Sequence, residues 1–237
     1  MTDRVLIIIP AHNEETALPG VIADVRAHQP DADIVVVDDA SMDDTARTAE
    51  RLGVGVLRLP LNLGIGGAVQ TGFRFAREMN YDYALQVDGD GQHPAAAIGD
   101  LLERLRAGDA DVAIGSRFLA GAGFQSTFLR RLGIGVFRVL SRVTTGRSVT
   151  DSTSGFRAYN AAAIHFLADT YPSDYPEVEA VISLSHNRFR IVEVPVEMRE
   201  RQGGRSSITV GRSAYYMIKV MLASLISILK PTRRRSL

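Results

Sequence analysis

The sequence predicts an α/β fold, with a mostly parallel sheet and helices on both faces. Three observations carry that expectation. Apolar runs of strand length alternate with segments of helical spacing through the first half of the chain. The runs are continuously apolar, as in strands covered on both faces. Polar motifs appear where the runs stop, and ligands collect at the carboxyl ends of strands in such sheets.

The elements follow in order. "RVLIIIP" (4–10) reads as a buried strand. "ETALPGVIADVRAHQ" (15–29) places Leu18, Ile22 and Val25 on one helical face. "DIVVVDD" (33–39) is a second strand. "SMDDTARTAERLG" (41–53) predicts a helix with Ser41 as N-cap, Asp44 completing a capping box, and Gly53 closing the end. "VGVLRLP" (54–60) is a third strand, "GGAVQTGFRFAREM" (66–79) a helix and "YDYALQVDGD" (81–90) a fourth strand. A helix over 95–108 and a strand over 110–117 complete the regular half. Beyond it, 128–146 looks helical and basic, 149–160 a polar loop, and 161–169 a helix. A Pro-rich loop from 171 runs into a helix reaching 187, and 189–199 is a strand. A Gly-rich basic loop over 200–208 precedes a last helix over 211–230. The expected division is one catalytic domain over 1–210, with halves 1–117 and 118–210. The segment 211–237 would be an apolar helix with a basic tail.

Composition narrows the function. The 27 Lys and Arg balance 27 Asp and Glu, so no global field favours nucleic acid. The absence of cysteine excludes a disulfide framework and thiolate chemistry, and fits a reducing compartment. "MTDRVLIIIP" does not read as a signal peptide, and no run reaches the ~20 apolar residues of a spanning helix.

The motif "VDGDGQHP" (87–94) sets two carboxylates, Asp88 and Asp90, one residue apart where a strand gives way to a loop. Such a pair repels itself unless a positive group lies between. Carboxylates are hard ligands suited to Mg²⁺ or Mn²⁺, which use one or two of them plus substrate phosphates. A calcium loop from Asp88 would need Gly at 93 and Glu at 99; His93 and Gly99 stand there. A solvated turn is the plainer alternative. In "VDDAS" (37–41), Asp38 and Asp39 can accept from ribose hydroxyls or a base N–H. "LGIGGAVQTG" (63–72) fails the dinucleotide pattern at Val69, so its glycines are expected to serve close packing or ligand approach. "GSRF" (115–118), "RR" (130–131) and "RERQGGR" (199–205) supply guanidinium forks for phosphate oxygens.

Taken in order, "PAHNE", "VDDASMDDT", "LGIGGAVQTG", "DGDGQH", "IGSR" and "DSTSGFRAY" resemble the polyprenol-phosphate mannose/glucose synthases. These are inverting family 2 glycosyltransferases of the GT-A fold. The resemblance spans about 4–208 and implies a nucleotide-diphosphate sugar donor and a divalent metal. It puts Pro10, Ala11, His12, Glu14, Val37 and Asp39 at the nucleobase and ribose, with His12 where many members have tyrosine. Asp88, Asp90 and Gln92 match the metal motif, with Gly89 between, and Asp88, Asp90 and Arg117 fall at the reaction centre. Arg201 and Ser206 fit a loop that closes on the donor phosphates. Ser207 stands where members often have lysine, and Arg205 is the candidate substitute. Arg117, Arg131 and Arg205 are the candidates for an acceptor phosphate.

The implied reaction moves a hexose, of GDP-mannose or UDP-glucose type, onto a polyprenyl phosphate. That acceptor is already anionic, since a phosphate monoester has a second pKa of about 6, and needs no general base. A sugar hydroxyl acceptor would need one, and Asp151, Asp174, Glu177 and Glu179 are available. Two other readings stay open: a nucleotidyltransferase, against which the acidic "PAHNEET" counts, and a non-catalytic nucleotide-sugar-binding or scaffold protein. The tail is apolar over 220–229 and ends in Arg233, Arg234 and Arg235. Either it packs on the domain as a terminal helix, or it holds a cytoplasmic enzyme peripherally at the membrane face, on lipid or on a small membrane partner.

Overall fold

The computed structural model describes residues 3–119, 149–173 and 176–199. The expected basic helix (128–146), the loop over 200–208 and the tail lie outside them. So do Arg131, Asp174, Arg201, Arg205 and Ser206.

Among the described residues seven strands form one sheet in the order β3-β2-β1-β4-β6-β5-β7. They are β1 (Val5–Ala11), β2 (Asp33–Asp38), β3 (Gly55–Arg58), β4 (Tyr83–Gln86), β5 (Val112–Ser116), β6 (Arg157–Asn160) and β7 (Ile191–Pro195). All share one direction except β6, which runs antiparallel between β4 and β5. Among the described residues the α-helices are α1 (Leu18–His28), α2 (Thr45–Arg51), α3 (Gly64–Glu78), α4 (Ile98–Arg106), α5 (Ala161–Thr170) and α6 (Pro176–His186).

Strand periodicity splits the core in two. Ile7, Ile9, Ile34 and Val36 pack with α1, α2 and α4 on one face. Leu6, Ile8, Val35 and Val37 pack with α3, α5 and α6 on the other. Both faces are therefore covered, which is why these runs are continuously apolar. The predicted buried face of α1 is correct: Leu18, Ile22 and Val25 are all buried. Gly72 lets α3 lie directly on the sheet, because a Cβ there would collide with the Ile8 side chain.

Three expectations need correction. Residues 149–160 are not all loop, because Arg157–Asn160 is strand β6 in the middle of the sheet. Four residues opening on an arginine give no strand pattern; pairing to β4 and β5 makes the strand. Ser41 does not cap α2. The helix starts at Thr45, with Asp43 accepting the Thr45 backbone N–H at 3.0 Å. The Ser41 hydroxyl instead accepts the Asn13 N–H at 3.0 Å, tying the end of β1 to the segment after β2. Strand β4 ends at Gln86, so Asp88 and Asp90 stand in the turn beyond it. Gly53 closes α2 as expected, with φ of +67° and its N–H on Glu50 O.

Among the described residues no helix is long and apolar enough to cross a membrane.

Candidate active site

The chain builds β1, β2 and β3 outward in one direction, then returns to place β4 on the other side of β1. The strand order reverses there, which opens a crevice at the carboxyl ends of β1 and β4. Several of the expected site residues that the structure describes meet around it. Gly89 lies against the end of β1: a Cβ there would stand 3.3 Å from Pro10 O and 3.6 Å from both Ala11 Cβ and Glu14 Cγ. The Asp39 N–H donates to Ala11 O at 2.9 Å, closing β2 onto the same point.

The residues expected to hold base and ribose are firmly tied together. His12 Nδ1 donates to Asp39 O at 2.8 Å, and its Nε2 accepts from Asn13 Nδ2 at 3.0 Å. Asn62 sits against the same ring, 3.2 Å from Nδ1. Asp39 Oδ1 accepts the Leu63 N–H at 2.6 Å, at the entry to α3. Asp38 Oδ1 accepts the Ser41 N–H at 3.3 Å. Ala40, between them, has φ of +54°, a left-handed conformation that costs an alanine roughly 1–2 kcal/mol. Val37 is fully buried and packs on the α3 face, so only its backbone can meet a ligand.

After β4 the two carboxylates differ. Asp90 is 5% exposed and accepts the Gln92 N–H at 3.1 Å. Asp88 is half-buried, and its Oδ1 accepts from Gln86 Nε2 at 3.2 Å. Among the described residues no group of three or more His, Cys, Asp or Glu could hold an ion by itself. Two carboxylates and the Gln92 amide fit Mg²⁺ or Mn²⁺, which take the rest of their shell from phosphates and water.

Because β6 is antiparallel, the segment entering it arrives at the carboxyl ends of its neighbours. This brings "DSTSGF" (151–156) to the crevice. A Cβ at Gly155 would stand 3.1 and 3.3 Å from the two Asp88 carboxylate oxygens, so glycine lets this turn abut the carboxylate. At the other end of the turn, Asp151 takes a two-pronged grip from Arg117: Nε to Oδ2 and Nη2 to Oδ1, each 2.7 Å. Arg117 Nη2 also reaches Thr153 Oγ1 at 2.8 Å. Burial pushes the Asp151 carboxyl up, but the hydrogen bonds and charge of Arg117 outweigh it and hold the group below the usual range. Arg117, expected to face phosphate, thus spends much of its fork on Asp151. Asp151, weighed as a base, is an ion-paired carboxylate and a weak one. Glu177 differs: burial raises its carboxyl, against the pull of Arg157.

Sequence reasoning missed four supports. Glu193 of β7 accepts the backbone N–H groups of Thr150 and Asp151 at 2.8 and 2.7 Å and fixes that turn. Buried Arg157 donates to Ser154 O and Ser152 O at 2.7 and 2.8 Å and clamps the same turn from below. Gln86 and His93 contact Asp88. The available signals were a glutamate inside "IVEVP" and a glutamine inside "YALQV", polar residues interrupting apolar strands.

A family model, Glycosyl transferase family 2, matches residues 6–167, which include the whole crevice. The chain belongs to glycosyl transferase family 2. Similar relatives of this family 2 enzyme include an undecaprenyl-phosphate mannosyltransferase of Micrococcus luteus. It is 36% identical over 217 residues, covering 88% of each chain. A polyprenol monophosphomannose synthase of Mycolicibacterium smegmatis is 32% identical, over 92% of this chain and 86% of that protein. The glucosyl-3-phosphoglycerate synthase of Mycobacterium tuberculosis, solved with Mn²⁺, UDP and glucosyl-3-phosphoglycerate, superposes with a TM-score of 0.73. It is 19% identical and covers 97% of this chain and 81% of that one. That likeness bears out the GT-A fold expected of this glycosyltransferase.

Proposed function

We propose that this glycosyltransferase moves a hexose, with inversion, from a nucleoside-diphosphate sugar to a polyprenyl phosphate. The observation that carries the reading is the crevice between β1 and β4, where Gly89 holds the two-carboxylate turn against the β1 residues expected to hold base and ribose. Both relatives are named for mannosyl transfer to a polyprenyl phosphate and match most of this chain, which supports the acceptor class.

In this reading an acceptor phosphate oxygen bonds to the anomeric carbon. The bond from that carbon to the diphosphate breaks, and its electron pair leaves with the nucleoside diphosphate. The anionic acceptor needs no base, which suits the ion-paired Asp151. Asp88 and Asp90 would hold a divalent cation, Mg²⁺ or Mn²⁺, that offsets charge on the leaving diphosphate. Gln86 and the Gln92 N–H orient these carboxylates. His12, Asn62 and the Asp39 carboxylate form the wall for base and ribose. Arg131, Arg201, Arg205 and Ser206, outside the described residues, are the further candidates for the two phosphate groups. A hydroxyl acceptor is the second reading, for which Glu177, its carboxyl raised by burial, would be a candidate base.

The test pairs a donor screen with an acceptor choice. Thermal shift with Mn²⁺ and GDP or UDP should name the base, because a ligand that binds only the folded state stabilises it by mass action. Transfer from the matching donor should then go to polyprenyl phosphate. Transfer to a sugar hydroxyl, with none to the lipid phosphate, would overturn the reading.

The finer proposal on location is peripheral attachment to a membrane surface. The sequence over 220–229 is apolar, and Arg233, Arg234 and Arg235 follow. Each basic residue near an anionic surface contributes about 1 kcal/mol. The protein should float with anionic liposomes at low salt and be released at high salt. Deleting 214–237 should weaken flotation; unchanged flotation would assign the contact to another surface.

A further inference from the structure

His93 follows the two-carboxylate motif but is not in the ligand set that the sequence suggests. It is 7% exposed, and its ring lies 5.0 Å from that of Phe156, tilted by 32°. The ring is therefore fixed. Its Nδ1 stands 2.9 Å from the backbone nitrogen of Asp88. A backbone N–H can only donate, so Nδ1 accepts and the ring proton lies on Nε2. That nitrogen faces Asp88 Oδ2 at 3.5 Å, slightly beyond hydrogen-bond contact. The Asp88 side chain is 34% exposed.

The other sides of the carboxylate are also bounded. Gln86 Nε2 holds Oδ1 at 3.2 Å, and a Cβ at Gly155 would come within 3.1 and 3.3 Å of the two oxygens. One imidazole thus grips Asp88 at two points, accepting from its main chain and aiming a donor at its side chain. A carboxylate restrained in this way offers the same oxygen on every encounter, and less ordering is left for the moment of binding.

We propose that His93 is a positioning residue whose Nε2–H orients the Asp88 carboxylate toward the divalent cation. The proposal rests on the reading of Asp88 and Asp90 as cation ligands. The competing role is structural, with the ring merely filling space beside Phe156.

Two substitutions separate the roles. His93→Asn keeps an oxygen near Nδ1 for the Asp88 N–H but has nothing at Nε2. His93→Gln reaches the Nε2 position with an amide N–H and restores the donor. The measurement is Mn²⁺ affinity by electron paramagnetic resonance, with saturating GDP and in a parallel arm UDP, beside melting temperature under chelator. The Asn variant should bind Mn²⁺ about 10–100-fold more weakly, and the Gln variant should return to within about threefold of the parent protein. Melting under chelator should change little in either. Parent-like affinity in His93→Asn, equal losses in both variants, or a loss that tracks the chelated melting temperature would overturn the proposal. If the unsubstituted protein binds no Mn²⁺ with either nucleotide, the cation reading itself fails and the proposal falls with it.

Discussion

Asp90→Asn should abolish hexose transfer and metal-dependent nucleotide binding while the fold survives. Asp90 is buried, and its Oδ1 accepts the Gln92 N–H at 3.1 Å. Asparagine keeps an oxygen for that bond and matches the shape. What goes is the negative charge. A cation that stabilises a leaving diphosphate contributes several kcal/mol, so its loss should cost roughly a thousandfold or more in rate. Chelating the metal from the unsubstituted protein should have the same effect. The checks are a transfer assay, nucleotide titration with and without Mn²⁺, and a melt under chelator. Activity that persists with the metal chelated would sink the cation reading.

Asp151→Asn should act mainly on stability. It leaves Arg117, with a side chain 17% exposed, facing a neutral amide where two 2.7 Å charged contacts had been. Breaking a buried pair by removing one partner costs about 3–5 kcal/mol, and the partial exposure of Arg117 points to the lower end. The pH dependence has a definite sign. The folded Asp151 carboxyl lies below its ordinary value of 3.8. Its contribution is therefore fully present above that ordinary value, and is lost as pH falls through the lowered folded value. The gap in melting temperature between parent and variant should be constant near neutrality and shrink in strong acid. A gap unchanged down to the acid limit would show that the pair does not contribute through charge. Transfer to a lipid phosphate should fall only as far as misplacement of Arg117 and the turn explains. Loss of the chemical step alone, with the melt unchanged, would favour a hydroxyl acceptor with Asp151 as base.

Much of the first half of the chain was legible because its information is local. The runs over 4–10 and 33–39 are apolar at every position, and such segments have few alternatives to a doubly covered strand. The two-carboxylate motif was legible for the same reason: two carboxylates one residue apart need no distant partner to be noticed. The capping of α2 shows the limit. Ser41 with Asp44 has the spacing of a capping box, yet the Ser41 hydroxyl goes to Asn13, 28 residues away in sequence. A longer-range partner outcompeted the local one, and the helix starts at Thr45.

By itself, then, the sequence determined the alternating α/β order, the two faces of the core and the close pair of carboxylates. Each depends on periodicity or on adjacent residues. Tertiary structure alone decided that Arg157–Asn160 enters the sheet antiparallel, and with it the character of the site. That reversal carries Gly155 to Asp88 and Asp151 to Arg117, turning an expected phosphate cation into half of a buried ion pair. It also sets Phe156 beside the His93 ring. The physical reason is that strand pairing and ion pairing reward contacts between residues tens of positions apart. Four residues beginning with a charge carry no pattern of their own until β4 and β5 stand on either side of them.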